Sequence, residues 1–327
     1  MTEVKVSICC LVFNHGKYIK KCIDGFLMQK ANFAYEIIIH DDCSTDGTID
    51  ILKEYEKKYP RIIKVIYETE NQYSKGGMQM EDLFLYPHAH GEYIALCEGD
   101  DFWVDPYKLQ RQVDFLDSHS EYGMCYTDFN MYYQNSNRTI SDYFKQNPNT
   151  RRDYKDVIDF VVNRGFLCPA TWLFRTKFVP TPIHSFKAID GSFADFAYFL
   201  HATKVKYLEY TTATYRVLEE SASHSKNYEK LYKREMRLLE AQKKLCEVFN
   251  RNDAYVQCLS VSYKRNLKNY ILNDKVSTIK DARTYIQAPS FLEKMYLFIG
   301  KYKIARDLFK TAIYAKRWMR TSLQKYL

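Results

Sequence analysis

Apolar residues in the first hundred positions come in short unbroken runs, each ended by a polar cluster. Residues 4–13 are almost continuously apolar, the pattern of a strand covered on both faces in a parallel sheet. Asn14-His15-Gly16 interrupts the run, and Ile19, Cys22, Ile23, Phe26 and Leu27 then recur at helical spacing. Residues 36–39 form a second buried run, completing a βαβ unit. Asp41-Asp42-Cys43-Ser44-Thr45-Asp46-Gly47-Thr48 closes it, with Ser or Asp available to cap a helix that carries Ile51, Leu52 and Tyr55 and stops at Pro60. Residues 62–67 and 93–97 read as further strands, and a helix beginning at Pro106 carries Leu109, Val113 and Leu116 on one face. This alternation predicts a doubly wound α/β architecture.

Beyond it the pattern changes. Residues 134–152 are rich in Asn, Ser, Gln and Arg, a composition that predicts a loop, either a lid or a plain linker. Tyr73-Ser74-Lys75-Gly76-Gly77 is a second flexible stretch. Cys168-Pro169-Ala170 and Trp172 read as an apolar strand. After residue 226 long amphipathic helices are expected, first over 228–249 with Leu231, Leu238, Leu239, Leu245 and Val248. The last, over 303–320, projects Ile304, Ala305, Leu308, Phe309, Ala312, Ala315 and Met319 from one face, with Arg306, Lys310, Arg317 and Arg320 opposite.

Charge divides the 327 residues at the same place. The overall +8 is the sum of a front, residues 1–225, with 25 basic and 31 acidic side chains, and a tail, 226–327, with 23 and 9. The front is −6 and the tail +14. The division predicts one domain over 1–225 followed by a basic helical region over 226–327. No run approaches the roughly 18 uncharged apolar residues needed to span a bilayer. The first residues lack a signal-peptide pattern, so a cytoplasmic location is expected. The nine cysteines form no CxxC pair and lie mostly in apolar runs, as reduced structural thiols do. A nucleic-acid partner is not expected, because no recognition motif appears and the acidic front repels phosphate.

Ligands of such sheets bind at the carboxyl ends of the strands, and the polar clusters lie there. Asn14, Asp41-Asp42 and Glu98-Gly99-Asp100-Asp101 each follow an apolar run directly. No Gly-rich dinucleotide fingerprint or P-loop is present. Acidic loops can instead hold Mg²⁺ or Mn²⁺, which takes one or two carboxylates together with phosphate oxygens. A Mg²⁺-dependent nucleotidyltransferase would share that need, and a noncatalytic nucleotide- or glycan-binding scaffold would keep the fold without turnover.

Three motifs in order resemble the family 2 glycosyltransferases. Residues 6–14, ending Leu11-Val12-Phe13-Asn14, are similar to that family's opening strand, which usually ends Pro-Thr-Tyr-Asn. Residues 41–48 resemble Asp-Asp-Gly-Ser-x-Asp-Gly-Thr with Cys43 in place of Gly, and residues 91–101 resemble the Gly-Glu-Tyr-Ile strand and Asp-x-Asp-Asp motif with Glu98 as the first acid. The likeness is strong over about 4–130, weaker over 165–225, and absent from the tail; it implies that residues 1–225 are a catalytic domain with a donor half to about 130 and an acceptor half from about 153.

The resemblance implies a GT-A fold, a nucleoside diphosphate sugar donor, with UDP the expected nucleotide, and a Mn²⁺ or Mg²⁺ cofactor. It implies that Asp42 holds the base beside the backbone of Leu11, Val12 and Phe13, with Asp41 in support and Asn14 at the strand end. Asp100 would approach ribose and metal, Asp101 would ligate the cation, and Glu98 would ligate it or hydrogen-bond nearby. An acceptor hydroxyl needs a base; the family's base aspartate precedes a helix, a strand and a Tyr-Arg pair, which here makes Asp195 the candidate and Asp190 the competitor, ahead of Tyr215-Arg216. Arg216 would pair with phosphate or fold onto a core carboxylate. Leu218 occupies the commonest position of a metal- or diphosphate-reaching His, leaving His224 as the nearest substitute. Lys75 would balance diphosphate charge. Trp172 and residues 168–170 would line the acceptor wall or simply the core. The acceptor expected is a lipid-linked or growing surface glycan, and the last helix would meet an anionic membrane, the domain itself or another subunit.

Overall fold

The computed structural model describes residues 3–75, 80–148, 150, 153–179, 191–218 and 227–323. The first βαβ unit comprises β1 (Val4–Val12), α1 (Ile19–Leu27) and β2 (Ala34–Asp41), followed by α2 (Thr48–Lys58), β3 (Ile63–Tyr67), β4 (Tyr93–Leu96) and the short β5 (Phe102–Trp103). Next come α3 (Lys108–Ser118), β6 (Tyr122–Tyr133), β7 (Arg138–Ile140), α4 (Tyr143–Gln146), α5 (Val157–Asn163), β8 (Leu173–Arg175), α6 (Gly191–Ala202) and β9 (Lys204–Val217). Among the described residues five helices follow: α7 (Tyr228–Val248), α8 (Asn252–Leu272), α9 (Val276–Tyr285), α10 (Phe291–Lys301) and α11 (Lys303–Leu323).

The strands form one sheet in the order β3-β2-β1-β4-β8-β6-β9-β5, with β7 paired to β6. β1 lies parallel to β2 and β4, and β2 parallel to β3, which explains the unbroken apolar runs: Val6, Ile8 and Cys10, and Ile37 to Ile39, are buried. β8 runs antiparallel to both β4 and β6, so the sheet is mixed in its second half, with β6 and β9 again parallel.

Three expectations need correction. Residues 134–148 are not a structureless loop. A 3-10 turn (Gln134–Ser136), β7 and α4 occupy them, because the buried carboxylate of Asp128 accepts the backbone N–H groups of Phe144 (2.8 Å) and Lys145 (3.1 Å) and draws Phe144 into the core. Residues 169–171 form a 3-10 turn rather than a strand, and β8 starts after it at Leu173. The helix expected at Pro106 begins at Lys108, because Asp105 and Pro106 belong to a turn in which the Asp105 side chain accepts from Tyr107 N (2.9 Å).

The chain divides into two compact units, Met1–Phe160 with Arg164–Leu218, and Val161–Asn163 with Glu219–Leu327. The first contains the sheet. The second is centred on a core of Leu239, Tyr263, Leu267, Tyr270, Ile271 and Ile279. All nine cysteines are free thiols, eight of them buried.

Candidate active site

At the carboxyl end of β1 the chain reverses through Asn14, whose φ of 54° lies in the left-handed region that Asn tolerates. Its side chain accepts from Thr45 N (2.8 Å), its own N–H donates to Ser44 Oγ (2.8 Å), and Gly16 N donates to Asp46 Oδ2 (3.0 Å). Asp41 caps the same loop by accepting from Ser44 N (3.0 Å). Cys43, standing where the resembled motif has Gly, adopts φ 64°; only Gly takes that conformation without steric cost, so the usual residue has a backbone reason.

Two backbone hydrogen bonds tie the acidic motif to β1: Cys97 N to Cys9 O (3.1 Å) and Gly99 N to Leu11 O (2.9 Å). Gly99 admits no side chain. A Cβ there would stand 2.7 Å from His15 Nδ1 and 2.9 Å from Val12 Cγ2. From β9, Arg216 N donates to Asp101 Oδ1 (2.7 Å) while its Nε donates to Asp100 O (2.7 Å). The guanidinium lies over the rings of Tyr18 (4.7 Å), Phe102 (5.2 Å) and Tyr132 (5.4 Å), and the residue is 6% exposed. The side chain folds onto the Asp100 main chain while the backbone N–H holds the Asp101 carboxylate, and together they clamp the Asp100-Asp101 turn.

Electrostatically the turn is under tension. Burial first, then the Asp100 and Glu98 carboxylates, push the Asp101 carboxyl well above the usual range, against an opposing effect of Arg216. Asp100 Oδ1, Asp41 Oδ1 and His15 Nδ1 are buried without a hydrogen-bond partner. Burial lowers the His15 pKa although Asp100, Asp46 and Asp41 stand near it, so a neutral imidazole faces the acidic turn.

This donor set fits a hard divalent cation. Asp100 presents an unused buried oxygen, and its neighbour Asp101 is a carboxylate crowded by like charge. Among the described residues no three His, Cys, Asp or Glu side chains converge as a metal cage. A cage is not required, since Mg²⁺ and Mn²⁺ keep water and phosphate oxygens in their shells.

Other expected residues stand differently. Both Asp42 oxygens accept backbone N–H groups, from Gln72 (2.6 Å) and Tyr73 (3.1 Å), so this carboxylate pins the loop after β3. Leu11 and Val12 contribute backbone carbonyls, to Gly99 N and Asp42 N (2.9 Å each), and the ring of Phe13 is 44% exposed. Lys75 forms an ion pair with Glu70. Glu98 is exposed. Trp172 is 1% exposed and packs on Phe196 of α6 at 5.5 Å, a core position. Asp195 is half-buried on α6, whose Phe193, Phe196 and Phe199 are buried. Asp190 and His224 lie outside the described residues.

One group near Asp195 escaped the sequence reading. A π-helical turn, Glu81–Leu85, leads into the buried Tyr86, whose phenol is pushed well up by burial and then by the charges of Asp195 and Glu81. Burial also raises Glu81 to about 7 and Asp82 to about 6. Nothing in the local pattern marks this turn, because its environment comes from strands remote in sequence. His15 was adjacent to Asn14 but carried no signal beyond that adjacency.

Comparison with known proteins gives a consistent picture. The sequence pattern of the family described as Glycosyl transferase family 2 matches residues 7–179. An uncharacterized protein of Mycobacterium tuberculosis is 40% identical over 129 residues, 39% of this chain and 36% of that one. The putative teichuronic acid biosynthesis glycosyltransferase TuaG of Bacillus subtilis is 38% identical over 111 residues, 34% of this chain and 41% of TuaG. The matched region thus spans well under half the length of these curated relatives. Among solved structures, residues 1–349 of S. aureus TarS in complex with UDP-GlcNAc superpose with a TM-score of 0.59 at 17% identity, covering 94% of this chain and 89% of that segment, a likeness of fold.

Proposed function

Because the chain belongs to glycosyl transferase family 2 and has that family's GT-A-like fold, we infer that it moves a sugar from a UDP-linked donor to a hydroxyl of a lipid-linked or growing surface glycan. The observation that carries this reading is the Asp100-Asp101 turn, held by β1 and clamped by Arg216, with a buried carboxylate oxygen lacking a partner. UDP-GlcNAc in the TarS complex supports the donor class, and the glycosyltransferase name of TuaG supports sugar transfer.

In this reading Asp100 and Asp101 would hold Mn²⁺ or Mg²⁺, a Lewis acid that would stabilise the departing diphosphate. The crevice beside Leu11, Val12 and Phe13 receives the nucleotide, with Asn14, Asp41 and Asp42 shaping its floor. Asp42 acts by holding the Gln72–Tyr73 backbone against that floor. Arg216 orients the carboxylates rather than touching phosphate. Asp195 accepts the proton of the acceptor hydroxyl as that oxygen bonds to the anomeric carbon and the bond to the diphosphate breaks, which inverts the anomer. The basic tail holds the enzyme on an anionic membrane, where such acceptors reside.

The test is a donor screen that follows free UDP or GDP with Mn²⁺ present. Nucleoside diphosphate release that Asp101→Ala lowers about a hundredfold or more is expected. Pyrophosphate release would instead make the chain a nucleotidyltransferase. No turnover with any donor and metal would make it a binding scaffold.

A further inference from the structure

Two consecutive helices of the second unit each turn part of their apolar side chains outward, while Leu297, Ile299 and Phe309 pack on the core. In α10 Phe291 is 85% exposed and Phe298 62%, and in α11 Ile304 is 77% and Leu308 67%. An amphipathic helix on a soluble domain ordinarily buries such a stripe. The inward side of α11 is instead made by Arg306, Phe309 and Lys310. Arg306 is buried, donates to Gly300 O (3.0 Å) and pairs with Asp274 (3.3 Å), which Lys310 also engages, while the Phe309 ring meets Tyr296 at 5.7 Å. Two of the cations expected to form the outer basic face are therefore turned inward, where they share the single carboxylate of Asp274. The helices meet at Tyr302, whose ring lies 5.2 Å from Phe298, so the two outward stripes share one corner.

An exposed apolar patch of this kind marks an interaction site, and charge selects the occupant. Lys294, Lys301 and Lys303 are exposed on the same two helices, in a region of net +14. A second copy would bring like charge to like charge, whereas an anionic bilayer brings the opposite sign. No helix among the described residues is long and apolar enough to cross a membrane, so the corner would lie in the interface.

We propose that the α10–α11 corner enters an anionic bilayer interface apolar side down, with Phe298, Ile304 and Leu308 at the acyl boundary and Lys294, Lys301 and Lys303 among the headgroups. The proposal rests on the membrane part of the function proposed above, independently of its chemistry, and names the side that inserts.

The full chain is sedimented with phosphatidylcholine vesicles, with and without phosphatidylglycerol, while donor turnover is measured without lipid. Binding to the anionic vesicles is expected. It should fall about a hundredfold or more in the triple variant Phe298→Ser, Ile304→Ser, Leu308→Ser, and also in Lys294→Glu, Lys301→Glu, Lys303→Glu, with turnover unchanged in both. Vesicle binding by the serine variant equal to the parent's would overturn the proposal. So would a parent dimer that binds no vesicles and that the serine variant converts to monomer, which would assign the corner to a second copy. Vesicle binding lost as expected, in a chain that turns over no donor, would sink the enzymatic reading and leave the docking surface standing.

Discussion

Individual side chains in this protein serve the backbone more than their types suggest. Arg216 and Asp42 carry charges suited to a diphosphate and a base, yet each is engaged with main-chain groups, Asp100 O in one case and two N–H groups in the other. Glu81 supplies a residue-scale prediction. Its folded pKa, raised by burial to about 7 from an ordinary 4.5, means that the folded state holds the proton more tightly. The stabilisation it provides is complete below the unfolded value and is lost as pH rises through about 7. Glu81→Gln should therefore flatten the decline of stability between those limits and raise the melting temperature above pH 7, read from thermal melts of both proteins across that range. An equal pH slope in the variant would show that the carboxyl titrates normally.

At the scale of elements, the segment between β6 and α5 shows how one buried acid organises a stretch with little apolar content. Asp128 is 2% exposed and accepts from Phe129, Phe144 and Lys145 N–H groups. Asp128→Ala would strand those donors, and each buried unsatisfied group costs about 1–3 kcal/mol. A loss of about 2–4 kcal/mol in denaturant unfolding is expected, together with faster amide exchange confined first to α4. Uniform exchange in the variant would mean that α4 is held by its own packing. The composition of residues 134–152 pointed to a loop because Asn, Ser and Gln lack apolar periodicity. A capping carboxylate six or more positions upstream leaves no trace in such a count.

Over the whole molecule the charge asymmetry separates two activities that salt should distinguish. Contacts between an exposed basic surface and anionic lipid are screened within about 8–10 Å at physiological salt, whereas Asp101, in the acidic turn beside Arg216, is buried. Raising salt from low to about 0.5 M should release the chain from anionic vesicles far more than it weakens donor binding, by sedimentation and by nucleotide titration at matched salt. Equal loss of both would place the basic tail in donor binding.

The alternation of β1, α1, β2, α2 and β3 was legible in the chain because parallel strands buried on both faces are written as uninterrupted apolar runs. The positions of Asp41, Asp42, Asp100 and Asp101 at strand ends were legible for the same reason, since the runs stop there. Pairing decided the rest. That β8 runs antiparallel between β4 and β6, that Arg216 closes on Asp100 and Asp101 across 115 residues of chain, and that α11 turns Arg306 inward and Ile304 outward all depend on partners distant in sequence. Periodicity reveals that a helix has an apolar face. Only the tertiary structure decides whether that face is buried, because the choice turns on the free energy of the neighbours it would meet.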